Sequence, residues 1–404
     1  YHQSINPAMK KFYYWLLVMP LLYSCSGEPD YVPIAEETHE DILNLPQTPY
    51  NYSDLNLPAY FLANDNGALP SSVNGIDNTP AGNAVTDNGA TLGRVLFYDV
   101  SLSANRTTAC GSCHRPEKAF ADSSPFSHGL YGQPTRRNSI TLVNSRFYKR
   151  GHFFYDERAN TLEDQALMPV VDIREMDLTM EQITQRVQAQ SYYPKLFKAA
   201  FGDSHVSNER IADALSQFMR SIVSFDSKYD AGRAQVANMV DDFPNFTIEE
   251  NRGKALFLKS LDQGGLACYA CHTTEAFVSP NIGPINNGLD LASTTDLGAF
   301  EHYPDKPNLK GAFKIPTLRN IALTGPYMHD GRFNTLMQVI EFYNSGVQNH
   351  AQLSPFLKGG DGLPRHLNLT QEDKIALLKF LYTLNGTTIF NDPRWLDPFI
   401  NQHL

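Results

Sequence analysis

Cysteine is scarce: the 404 residues carry five, too few for a disulfide scaffold. Tryptophan is scarcer still, with only Trp15 and Trp395. Charged residues make up 19% of the chain and the net charge is -10, which excludes a binder of nucleic-acid phosphates. A hydrophobic content of 42% excludes a disordered or fibrous chain. No period-2 strand run of any length occurs, so the expected fold is mainly α. The apolar run Phe12 to Leu22 is too short to span a bilayer as a mature helix. Glycine and proline are plentiful, 26 and 25, which predicts long ordered loops between modest helices.

Met9-Lys10-Lys11, the apolar run and Leu22-Tyr23-Ser24-Cys25 make a charged segment, a hydrophobic segment and a small residue before cysteine. The pattern resembles a bacterial lipoprotein signal, with Cys25 as the lipidated first residue. An ordinary secretory signal or an uncleaved anchor is the alternative. Residues 1–8 read as lying upstream of the true start. Ser26 after the cysteine leans towards the outer membrane, so the expected location is the periplasmic side, with the membrane touched only through the lipid.

Residues 26–90 read as a tether and irregular arm, as in Asn74-Gly75-Ile76-Asp77-Asn78-Thr79-Pro80. A short helix over Thr91 to Tyr98 leads into a cysteine pair, and amphipathic stretches follow at 178–201 and 208–225. A polar joint at 231–242 precedes a helix from Ile248 to Leu261 with Glu249 and Glu250 in its first turn. A second cysteine pair follows, and Thr370 caps the last helix, Ile375 to Leu384. Helix, cysteine pair, long loop and helix thus occur twice. This divides the chain into a first domain over 91–240, a second over 241–386 and a tail over 387–404.

Cys110-Gly111-Ser112-Cys113-His114 and Cys268-Tyr269-Ala270-Cys271-His272 are both C-x-x-C-H. Two thiols at this spacing reach the two vinyl groups of one porphyrin, and the adjoining histidine becomes the proximal iron ligand. Roughly 0.002 such motifs are expected by chance from this composition, and two are present. A zinc ribbon would set its pairs about 15–20 residues apart, and a thioredoxin-like pair would sit in a βαβ pattern that is missing. The reading is two covalent haem c groups, one per domain.

Around these motifs the chain resembles the bacterial di-haem cytochrome c peroxidase and MauG superfamily over about residues 90–386. The matching segments are Leu92-Gly93-Arg94-Val95-Leu96-Phe97-Tyr98-Asp99 with Leu102-Ser103, Arg137-Asn138-Ser139, Asp156-Glu157-Arg158-Ala159, Glu175-Met176, Pro316-Thr317-Leu318-Arg319-Asn320 and Pro326-Tyr327-Met328-His329-Asp330-Gly331. The resemblance implies two cytochrome c-like helical domains, each around one haem, with a calcium ion at their interface.

It also implies roles. Glu175, ten residues after Gln165, takes the place of the acid/base that moves a peroxide proton, with Gln165 as its positioning partner. His128 stands where a displaceable distal ligand caps the first haem; a plain loop histidine is the alternative. At the second haem the register of the usual distal methionine falls on Tyr343, as in MauG, while Met337 points elsewhere and Met328 packs. Tyr155 replaces the tryptophan that relays electrons between the irons. Calcium is implied at the Asn138 side chain and the carbonyls of Thr324 and Pro326.

The expected activity is reduction of hydrogen peroxide to water with electrons from a small periplasmic cytochrome c or copper protein. The alternative is a MauG-like oxidase acting through a bis-ferryl state on a protein or organic substrate, and the third reading is a non-catalytic electron carrier. A homodimer is compatible with any of these.

Overall fold

The computed structural model describes residues 42–64 and 69–401, so Cys25 and the signal segment lie outside the described residues. Everything described belongs to one unit that begins at Thr38. Its principal helices are α1 (Asp87–Tyr98), α2 (Leu162–Val171), α3 (Met180–Gln188), α4 (Tyr193–Phe201), α5 (Asn208–Ser221), α6 (Ile248–Leu258), α7 (Leu336–Glu341) and α8 (Gln371–Tyr382). Among the described residues there are isolated β-bridges but no strand, and no helix is long and apolar enough to cross a membrane. The mainly helical expectation holds.

One packing unit is used twice. In the first half, α1 crosses α5 at Gly93, where an added Cβ would lie 1.9 Å from the Ala214 carbonyl oxygen. In the second half, α6 crosses α8 at Gly253, and the same atom would lie 2.0 Å from the Ala376 oxygen. A side chain at either glycine would force the two helix backbones apart. Next to each crossing a phenylalanine pair fills the angle, Phe97 with Phe218 at 5.2 Å and Phe257 with Phe380 at 5.3 Å. Each cysteine pair follows the first helix of its pair, so one scaffold positions each haem motif.

The caps follow sequence. Thr247 and Thr370 accept hydrogen bonds from the Glu250 and Asp373 amides and start α6 and α8. Several expected bounds change: α1 starts at Asp87, α5 ends at Ser221 and α8 ends at Tyr382. The stretch 178–201 divides into α3 and α4, because Pro194 sits in the first turn of α4, where a missing N–H costs nothing. The helix from Ile248 ends at Leu258 rather than Leu261.

Two cores result. Side chains through Val223 pack in the first, and those from Tyr229 onward mostly in the second. The described parts of the arm and tail are packed: Tyr52, Phe61 and Val73 enter the first core, and so do Ile389 and Trp395. The tail is tied there by the Tyr98 hydroxyl donating to the Trp395 carbonyl at 2.6 Å and by the Asn44 amide donating to the Pro398 carbonyl at 2.7 Å.

Candidate active site: two cavities on one plan

Each C-x-x-C-H motif forms a short helical turn in which the histidine amide donates to the carbonyl of the first cysteine, at 2.9 Å for His114 and 3.2 Å for His272. The turn gathers two thiols and an imidazole against one cavity. All four cysteines are free, and burial pushes Cys110, Cys113 and Cys268 up to about 12 and Cys271 up to about 11. The imidazoles are oriented alike. His114 Nδ1 lies 2.9 Å from the Phe120 carbonyl, and His272 Nδ1 lies 3.1 Å from the Pro316 carbonyl. A carbonyl only accepts, so Nδ1 carries the proton and Nε2 presents a lone pair, the arrangement an iron ligand needs. Burial lowers both histidines, His272 to about 4, which keeps that lone pair free. These residues fit a covalent haem in each cavity.

The first cavity brings Gln165 and Glu175 together with Cys110, Cys113 and His114. Gln165 projects from α2, and its Oε1 is buried with no protein hydrogen-bond partner. Glu175 lies on the turn after α2, its amide donating to the Asp172 carbonyl at 2.9 Å. Burial raises its carboxyl to about 7, Asp172 adds to the rise, and Arg158 opposes it. A carboxyl poised near neutrality beside an unpaired amide oxygen can both take and return a proton. His128 is exposed, its backbone bridged to Pro134, and it is not in the lining; the structure does not bring it to the first cavity.

The second cavity brings Tyr343 to the same chamber as His272. Tyr343 sits on a π-helical turn, Phe342–Gly346, that follows α7; such turns recur at functional sites. Burial raises its phenol to about 12, and Asn287 opposes the rise. Met328 also lines this chamber, whereas Met337 does not.

Asn138, Thr324 and Pro326 all border the second cavity. Asn138 Nδ2 donates to the carbonyls of Ser124 and Pro125 at 3.1 and 3.3 Å, which leaves Oδ1 as its remaining polar atom. That hard oxygen suits calcium. Tyr155 borders the second cavity only, and burial holds its phenol neutral. Arg137 ties these pieces together: it pairs with Asp156 and makes two bonds to Asp296, at 2.8 and 2.6 Å.

Three residues of this site escape sequence reasoning. Ser139 lines both cavities, so it forms part of the wall between them. Lys314 is buried in the wall of the second, its ammonium 3.6 Å over the Tyr148 ring and 3.0 Å from the His152 carbonyl. Asn287 lies against Met328 and lines the second cavity together with Tyr343. Ser139 lies in a motif-bearing segment that could have flagged it; the other two carry no periodic signal.

A helical scaffold repeated around two such cradles defines a di-haem c-type cytochrome. Residues 87–237 match the family model described as di-haem cytochrome c peroxidase. The chain is 31% identical over 308 residues to the methylamine utilization protein MauG of Methylophilus methylotrophus, covering 76% of this chain and 85% of that protein. It is 32% identical over 309 residues to the cytochrome c551 peroxidase of Nitrosomonas europaea, covering 74% and 80%. A solved structure, a MauG-like protein associated with microbial copper homeostasis, superposes with a TM-score of 0.69 at 32% identity over 85% of this chain and 99% of that one. The chain belongs to the di-haem cytochrome c peroxidase and MauG family, and it is an oxidoreductase with two haem c groups.

Proposed function

We propose that the protein reduces hydrogen peroxide at its first haem, taking two electrons and two protons per peroxide and releasing two waters. The observation that carries this reading is Glu175 and the unpartnered Oε1 of Gln165 in one cavity with His114. When bound, each haem supplies an iron that accepts and passes on electrons. Glu175, ionised near pH 7, takes the proton from the inner peroxide oxygen and returns it to the outer one, which leaves as water. Gln165 holds the peroxide by accepting its O–H hydrogen bond at Oε1. His114 and His272 present Nε2 with Nδ1 fixed by a backbone carbonyl.

Electrons come from a small cytochrome c or copper protein by way of the second haem, with Tyr155 as the relay. Tyr343 supplies the distal oxygen there, and Asn138, Thr324 and Pro326 hold calcium between the halves. The protein works on the periplasmic side, anchored through lipid on Cys25, a point that mass spectrometry of the mature N-terminus would test.

Tyr343 supports a second reading. An anionic oxygen donor favours the more oxidised iron, so a MauG-like oxidation of a protein or organic substrate follows from the same site. Steady-state peroxide turnover with reduced cytochrome c separates the two, comparing as-isolated with pre-reduced protein. Rapid turnover establishes the peroxidase, whereas negligible turnover with a fast peroxide reaction of the ferric protein establishes the oxidase.

A further inference from the structure

The second cavity holds two side chains able to serve as distal donors, the phenol of Tyr343 and the thioether of Met328, and one amide lines it with both. Asn287 Nδ2 lies 3.8 Å from Met328 Sδ, and Asn287 lines the same chamber as Tyr343, whose ionised phenol it favours. Its orientation is not free, because Oδ1 accepts the Leu289 amide at 3.2 Å. With the oxygen so engaged, the side chain has the two hydrogens of Nδ2 left to donate, and Nδ2 is the atom beside the sulfur.

The backbone beneath Asn287 is equally constrained. Ile285 and Phe313 exchange two amide hydrogen bonds, at 3.0 and 2.9 Å, and the Gln348 amide donates to the Gly288 carbonyl at 2.8 Å. Met328 is itself held at φ +76°, a left-handed conformation that a non-glycine residue adopts only where its surroundings impose it. Tyr343 lies on the one π-helical turn found among the described residues. Two locally unfavourable backbones therefore converge on one rigid amide.

We propose that Asn287 is the positioning residue that selects oxygen over sulfur at the second haem, by donating one hydrogen to the Tyr343 phenolate and engaging the Met328 thioether with the other. The inference rests on the reading of Tyr343 as the distal donor. A phenolate with this donor stays oriented towards the cavity, and a thioether engaged by an N–H is withheld from a soft-metal bond.

The test uses the intact di-haem protein and compares wild type with Asn287→Leu, Asn287→Asp and Tyr343→Phe. Asn287→Asp keeps the acceptor for the Leu289 amide, so it maintains the loop if the leucine variant misfolds. The readouts are the phenolate-to-iron charge-transfer band and the midpoint potential of the second haem. Both Asn287 variants are expected to lose most of the band that Tyr343→Phe abolishes. In Asn287→Leu the potential should rise and a near-infrared thioether-to-iron band should appear, which Met328→Leu in the same background removes. Wild-type band position and potential in both variants would overturn the role of Asn287 while leaving Tyr343 in place. If wild type has no band that Tyr343→Phe abolishes, the Tyr343 reading falls and this inference falls with it.

Discussion

Gly129 lies against the carbonyl of Arg174 so closely that an added Cβ would sit 1.7 Å from that oxygen. The contact joins the loop after the first haem motif to the turn that carries Glu175, and the Leu130 amide donates to the Glu175 carbonyl at 3.0 Å. The position of the proposed proton carrier is therefore set by a neighbouring backbone with no room for a side chain.

Gly129→Ala should push the 172–177 turn outwards. Overpacking of this kind costs about 1–3 kcal/mol, which thermal unfolding would register. Peroxide turnover should fall while the spectrum of the second haem stays as in wild type; unaltered turnover would show that the contact does not position Glu175.

Glu175→Gln should leave both haems attached and lower peroxide turnover by ~10²–10⁴-fold, the usual contribution of a general acid–base. In wild type the base form appears as pH rises through about 7, so activity should climb across that range, and the variant should lose this limb. The sign for stability is opposite. A carboxyl raised from 4.5 to about 7 keeps its proton in the folded state while the unfolded chain has released it, so stability falls with pH between those values. The variant should remove that fall, as denaturant titrations at pH 5 and pH 8 would reveal.

His114→Gly and His272→Gly each remove a proximal nitrogen but should differ in effect. The first should abolish peroxide binding, and the second should chiefly slow electron delivery from a protein donor. Stopped-flow mixing with peroxide and steady-state assays with reduced cytochrome c measure the two separately. Full turnover by the His272 variant would reverse the assignment of the haems.

Tyr343→Met should raise the potential of the second haem and create a thioether-to-iron band, because sulfur favours ferrous iron and phenolate favours ferric. Wild-type protein should react with peroxide without prior reduction. A wild-type protein that already shows the thioether band would return the enzyme to the Met-ligated class.

Much of this was written in local sequence. The haem motifs are legible because thioether attachment demands a fixed spacing within one turn of chain, and the caps Thr247 and Thr370 act within three residues. The doubled scaffold is visible too, with Gly93 and Phe97 answered by Gly253 and Phe257, and Ala214 and Phe218 by Ala376 and Phe380. The family register named Gln165, Glu175 and Tyr343 as candidates, and the fold brings each to a cavity with its haem motif.

Tertiary structure alone decided the rest. That the tail returns to the first core over its described residues, 387–401, depends on Trp395 finding Tyr98 almost three hundred residues away. His128 stays outside the first cavity because its loop bridges to Pro134. Ser139 stands in both cavity walls, and Asn287 and Met328, from loops, line one chamber with Tyr343 from its π-helical turn. A periodic pattern records which face of an element is buried. It carries no record of which distant loop that face will meet, since packing of the whole chain sets that distance.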